Sequence, residues 1–142
     1  MLPDYDVVID ATDQLENKFL INDVCVSAEK PFVHGGITGF SGQVMTYVPE
    51  KGPCYRCIFG EVPEDNAPAP IPVIGVTAGI IGTIQAAEAI RYLLGIPSLL
   101  TGKLLVLDGL RMQFRTVPFP HVSEHCPLHT RKGAVSYTHL RA

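Results

Sequence analysis

Two short cysteine-bearing hooks constrain this chain more than any other feature. The first is Cys54-Tyr55-Arg56-Cys57, and the second, far downstream, is Cys126-Pro127-Leu128-His129. Each hook sets two soft ligands three positions apart. Zinc favours tetrahedral sulfur and nitrogen coordination, and such a turn puts two ligands on one side of the ion. Two turns complete the shell, so the spacing predicts a structural zinc held by Cys54, Cys57, Cys126 and His129, with His125 competing for the fourth place. A closed four-ligand site leaves no position for water, so its role would be structural. A redox dithiol, a disulfide and unrelated free thiols are the competing readings. A redox pair usually opens a helix beside a βαβ pattern, whereas Cys54 follows a Gly52-Pro53 turn.

The chain has 142 residues, enough for one domain or part of one. Its hydrophobic content of 46% supports a buried core. The net charge of −3, with scattered basic residues, gives no reason to expect nucleic acid. The longest apolar run, Val73 to Ile84, falls short of the roughly 20 residues a membrane helix needs. The N-terminus is acidic and lacks a basic-then-apolar leader. The expectation is a cytoplasmic protein without a membrane partner.

Asp6-Val7-Val8-Ile9-Asp10 is a β-branched run of the kind buried on both faces of a parallel sheet. A helix pattern follows through Leu15, Phe19, Asn22 and Val26, with Asp13 and Glu16 as a capping box and Pro31 as the stop. Phe32-Val33-His34 starts a short strand that Gly35-Gly36 should interrupt. Gly42 to Val48 alternates in part, which predicts a strand with one wetter face. Gly60 to Pro72 is too proline-rich for helix or strand and reads as a long surface connection.

A helix is predicted from about Val76 to Leu94. Ile80, Ile84, Ala87, Ile90, Arg91 and Leu94 share a broad face, and Ala78, Gly79, Gly82, Ala86 and Ala87 keep the other side thin, which suits close packing against a sheet or partner. Gly95 supplies the position after the cap. Lys103 to Asp108 and Met112 to Val117 read as a hairpin turning at Asp108-Gly109. After His129 the pattern ends, and residues 130–142 read as a disordered tail or as sequence foreign to the domain.

In open α/β sheets, ligands sit at the carboxyl ends of strands. Asp10 and Asp13 stand at such an end, just before a helix N-terminus that attracts anions. A carboxylate there could hold Mg²⁺ against a nucleotide phosphate; Asp13 could equally serve only as a cap. Neither a G-x-G-x-x-G nor a P-loop motif is present. His34 reads as structural, since no carboxylate or cysteine partner is evident near it in sequence. Asn17 and Lys18 lie in the first turns after Asp13, where they could point at a ligand, but on a surface helix they read as solvated residues.

Taken in order, several segments resemble the ThiF/MoeB/HesA family, the bacterial relatives of ubiquitin-activating E1 enzymes. They are Asp6 to Asp13, Gly42-Gln43-Val44, Cys54 to Cys57, Gly82 to Ile90 and Cys126-Pro127-Leu128. The likeness runs from about Asp4 to His129. It implies an α/β fold: the C-terminal part of a Rossmann-like adenylation domain, with a mixed sheet, flanking helices and a structural zinc, usually dimeric. It implies ATP- and Mg²⁺-dependent adenylation of the C-terminal glycine of a ubiquitin-like sulfur-carrier protein. Asp13 matches the family's Mg²⁺/ATP aspartate, and Cys54, Cys57 and Cys126 match zinc ligands; Asp10 is the weaker candidate, from its place at the strand end alone.

Departures from the family pattern are specific. The N-terminal half with its glycine-rich loop is absent, so 1–129 is expected to be a partial domain, inactive alone and without a catalytic residue of its own. The fourth zinc position, usually Cys, is His129. No cysteine lies between Cys57 and Cys126, and Gln14 stands where Asn is common. A catalytically inactive zinc-stabilised scaffold that binds a ubiquitin-like or partner protein is the alternative function. A dehydrogenase fragment is a weaker third reading, against which the missing dinucleotide fingerprint counts.

Overall fold

The computed structural model describes residues 2–64 and 70–130. A five-stranded sheet runs in sequence order: β1 (Val8–Asp10), β2 (Phe32–Thr38), β3 (Ser41–Tyr47), β4 (Lys103–Asp108) and β5 (Gln113–Pro118). β1 and β2 are parallel, and every later pair is antiparallel. The sheet is therefore mixed, as expected. Two helices lie before the long connection, α1 (Leu15–Ser27) and the short α2 (Tyr55–Phe59), and α3 (Gly75–Leu93) follows it. One further turn, α4 (Pro127–Thr130), carries the second hook.

Period-2 alternation along β2 sorts its side chains between two cores. Phe32 joins Phe19, Met45, Tyr47, Tyr55 and Leu104 on the α1/α2 side. Val33 joins Val44, Ile81, Ala89 and Leu107 on the α3 side. The sheet is thus the middle of three layers, and both hooks belong to the α1/α2 layer.

β2 does not stop at its glycines. It runs through Gly35 and Gly36 to Thr38, paired with β3 throughout. The reason is close approach rather than a turn. A Cβ on Gly35 would lie 2.3 Å from Gln85 of α3, and one on Gly42 would lie 2.5 Å from Ile81. Glycine is what lets α3 settle onto the sheet. The turn falls later, at Gly39, whose φ is +57°.

Several local expectations are corrected. β1 is not buried on both faces: Ile9 is 46% exposed, because β1 is an edge strand that α3 leaves uncovered on that side. β3 has no wet face toward α3, since Thr46 is buried there against Glu88. The inward stripe of α3 is Thr77, Ile81, Gln85, Glu88 and Ala89, whereas the thin side of Ala78, Gly79, Gly82, Ala86 and Ala87 is exposed and does not pack on the sheet. Its polar members are bonded: Gln85 to the Asp10 and Val33 carbonyls, and Glu88 to Thr46 and the Leu100 amide. α1 ends at Ser27, before Pro31, in a Schellman motif with Glu29 at φ +52°. There Lys30 N–H bonds the Cys25 carbonyl and Glu29 N–H bonds that of Val26. The same motif ends α3, with Gly95 at φ +73° as predicted. The expected β4–β5 hairpin forms, with Asp108 opposite Gln113. Of the reading of 130–142 as a tail, Thr130 closes α4, and the rest lies outside the described residues.

Candidate functional site

The two hooks fold alike, and local backbone chemistry explains it. Cys54 caps α2 in extended conformation, and Cys57 N–H bonds the Cys54 carbonyl at 3.1 Å. At the second hook His129 N–H bonds the Cys126 carbonyl, also at 3.1 Å. Each pair thus spans one tight helical turn, which sets side chains three apart on one face. The β4–β5 hairpin carries the chain back to the first hook. Cys54, Cys57, Cys126 and His129 meet there, with all ligand atoms within 4.8 Å of one another. His125 is exposed and stands outside the group.

The donor set fits a tetrahedral ion on two counts. The Cys54 sulfur lies 3.7 Å from those of both Cys57 and Cys126. A zinc with bonds of about 2.3 Å to sulfur spaces its thiolates by about 3.8 Å. The second count is His129 Nε2, which is buried and has no hydrogen-bond partner. A buried polar atom without a partner is costly, and a metal would satisfy it. All four cysteines are free thiols. Hydrogen bonding shared among the three sulfurs pulls the Cys57 thiol down and pushes that of Cys54 up. The remaining cysteine, Cys25, is buried in α1, and burial and the nearby Asp10 charge push its thiol up to about 11. It is inert packing.

The residues between the ligands tie the hook to α1. Tyr55 N–H donates to Asn22 Oδ1 at 2.8 Å. Arg56 grips Asp23 with two bonds, 2.6 and 2.7 Å, and its guanidinium lies over the Phe19 ring. The Tyr55 ring stacks edge-on against His34 at 4.6 Å.

His34 leads to the second constellation, at the carboxyl end of β1. Asp10 is 1% exposed. Its Oδ1 accepts both the Thr12 amide and the Thr12 hydroxyl, at 3.1 and 2.7 Å. Its Oδ2 faces His34 Nδ1 at 2.9 Å and Lys18 Nζ at 3.4 Å. Burial pushes the Asp10 carboxyl up, but His34, Thr12 and Lys18 together outweigh it and bring it down to about 2. Lys18 is buried too, and desolvation lowers its ammonium despite Asp10 and Asp13 nearby.

Asp13 is exposed on the turn that Asp10 organises. It is not the helix cap: Gln14 is, without a side-chain cap bond. The capping-box reading is therefore replaced, and Asp13 is exposed two residues before the helix. The structure also overturns two further sequence readings. His34 does have a carboxylate partner, Asp10, and Lys18 is not solvated. No local signal exposes the Asp10–His34 pair, because the parallel β1–β2 register brings the two side by side across 24 positions. A broad cleft of about 620 Å³ opens at the other end of β1, lined by Asp6, Glu29, Lys30, Pro31, Tyr92 and Leu93, away from both constellations.

Among the described residues, no helix is long and apolar enough to cross a membrane. Comparison with known proteins agrees with the fold. The SAMP-activating enzyme E1 of Haloferax volcanii is 45% identical over 129 residues, covering 87% of this chain and 46% of that enzyme. The adenylyltransferase and sulfurtransferase MOCS3 of Culex quinquefasciatus is 39% identical over 120 residues, covering 82% of this chain and 27% of that protein. The chain thus spans less than half the length of either relative. Among solved structures, E. coli MccB superposes with a TM-score of 0.72 at 16% identity, over 94% of this chain and 42% of its own. The ThiF family model matches residues 1–128, and the chain belongs to the ThiF family.

Proposed function

We propose that this chain is part of an ATP-dependent adenylyltransferase that activates the C-terminal glycine of a ubiquitin-like sulfur-carrier protein. The observation that carries the reading is the 45% identity to a SAMP-activating E1 over nearly the whole chain. The geometry agrees with it. Asp13 stands exposed at the carboxyl end of β1 and ahead of the α1 N-terminus, where an open α/β sheet binds anionic ligands. It is the residue that would hold Mg²⁺, which supplies charge neutralisation on the phosphates. In this reaction class the glycine carboxylate attacks the α-phosphorus of ATP and pyrophosphate leaves. The chain's contribution is positioning and charge rather than covalent chemistry. The phosphate cradle and the remaining ATP contacts are assigned to a part of the protein outside residues 1–129.

The metal of the four-ligand cluster is zinc in this reading, at about one per chain, and its role is structural. Homodimerisation is proposed through the outward face of α3. Val76, Gly79, Ala86, Ile90 and Leu93 line that face at helical spacing, and all are exposed. An interaction site of this composition suits close helix approach. A cytoplasmic location follows for an enzyme that consumes ATP.

The test is ATP–pyrophosphate exchange by the full-length protein, with and without a ubiquitin-like carrier ending in glycine. Carrier-dependent exchange supports the reading, and its absence with every carrier tried refutes it. The second reading, a zinc-clipped scaffold that binds a ubiquitin-like partner without activating it, is favoured by one feature: no cysteine lies between Cys57 and Cys126. Carrier binding without exchange would establish it.

A further inference from the structure

Lys18 has no assigned role, yet the chain buries it at the centre of the β1–α1 turn. Its ammonium donates to the Gly35 carbonyl of β2 at 2.7 Å and to Asp10 Oδ2 at 3.4 Å. A buried ammonium is tolerated only when paired and hydrogen-bonded, and here both conditions hold. Asp10 in turn holds Thr12 through two bonds, so one carboxylate links Lys18, His34 and the turn that carries Asp13. Lys18 also lies in the field of Asp13 itself.

We propose that Lys18 is the positioning residue of this turn: clamped between Asp10 and the Gly35 carbonyl, it fixes where Asp13 stands relative to Mg·ATP. The assignment rests on the adenylation reading above.

Charge bookkeeping within the cluster distinguishes this role from a plain fold contact. His34 is faced by Asp10 from β1, Lys18 from α1, Gln43 from β3, and Tyr55 and Phe59 from α2. Gln43 Nε2 donates to His34 Nε2 at 3.2 Å, so the ring proton sits on Nδ1 and points at Asp10. The imidazole is neutral: burial and the Lys18 charge lower its pKa, against the opposing pull of Asp10. Asp10 and Lys18 therefore balance. Without Lys18, the buried Asp10 charge keeps only its bonds to Thr12 and His34, and loss of the opposing ammonium moves the imidazole toward its protonated form.

The experiment uses Lys18→Met in the full-length protein. Mg·ATP affinity is measured by calorimetry, exchange rate is followed from about pH 6 to 8, and the His34 ring protons are titrated by NMR. Near pH 8 the variant is expected to bind Mg·ATP about 10- to 100-fold more weakly than wild type. It should recover as pH falls, in step with a His34 titration that wild type lacks. Unchanged affinity overturns the proposal. So does weakened affinity at every pH with His34 never charging, since that is the behaviour of a simple fold defect. If the methionine variant does not fold, Lys18→Arg decides. It keeps the charge but brings a longer, planar head, so affinity should fall while the melting temperature holds, and wild-type affinity would overturn the role. A wild type that neither exchanges nor binds Mg·ATP sinks the adenylation reading as well. A wild type that does both, matched by its Lys18 variants, sinks only the role of Lys18.

Discussion

Asp10 and Asp13 lie three residues apart and have opposite characters. Asp13 is exposed and takes no part in the helix cap, so its loss should leave the fold intact. Surface substitutions usually shift stability by less than about 0.5 kcal/mol. Asp13→Ala is therefore expected to cut ATP–pyrophosphate exchange by at least about 100-fold while the melting temperature stays put. Retained exchange would remove Asp13 from the nucleotide site. Asp10 is the reverse case. Asp10→Asn leaves the Lys18 ammonium buried and uncompensated, which typically costs about 3–5 kcal/mol. The pH dependence has a definite sign. The Asp10 carboxyl sits at about 2 in the folded protein against an ordinary 3.8. Its contribution, on the order of 2 kcal/mol for such a shift, is present above about pH 4 and fades as pH falls toward 2. Urea unfolding of wild type and Asp10→Asn should thus differ at pH 7 and converge in acid. A gap that stayed constant down to pH 2 would mean that Asp10 is not the ionised partner.

At the scale of elements, the hooks are the most legible part of the chain, because metal spacing is a local pattern. Cys54 and Cys57, like Cys126 and His129, each sit within one helical turn, and the structure needs only to bring the two turns together. The predicted choice of His129 over His125 can be checked by metal content. His129→Ala should lower bound zinc well below one per chain, and His125→Ala should leave it unchanged. The reverse pattern would reassign the fourth ligand. Elements whose shape depends on distant partners were less legible. Gly35 and Gly36 look like a break in sequence, since nothing nearby says that Gln85 will press against them from α3. Gly35→Ala should cost about 1–3 kcal/mol, because Gln85 would have to surrender its bonds to the Asp10 and Val33 carbonyls to make room. Urea denaturation would measure it, and no loss would show that Gln85 can move freely. The inward face of α3 was likewise hidden. Its polar residues, Gln85 and Glu88, are bonded to groups far away in sequence, the Asp10 and Val33 carbonyls, the Thr46 hydroxyl and the Leu100 amide, which periodicity along the helix does not show.

For the molecule as a whole, the two layers on either side of the sheet should respond differently to loss of the metal. The α1/α2 layer depends on the cluster directly. Cys54 and Cys126 are part of its core, alongside Phe19, Tyr55 and Leu104, and the hook is bonded to α1 through Asn22 and Asp23. The α3 layer rests on Val33, Val44, Ile81 and Leu107, with Glu88 and Gln85 bonded across, and includes none of the four ligands. Without a metal the three sulfurs and the buried imidazole of His129 lose the ion that joins them, and metal-binding free energy is folding free energy for the segments it ties. Chelation of the full-length protein should therefore release amide protection in α2, α4 and the approach from Phe119 to Cys126 first, and then in α1. Protection in α3 and in β2 and β3 should survive much longer. Hydrogen exchange before and after chelation reads this directly. Uniform loss across both layers would mean that the sheet transmits the metal's contribution throughout. No loss anywhere would mean that the cluster holds no structural metal, and the zinc assignment would fall with it.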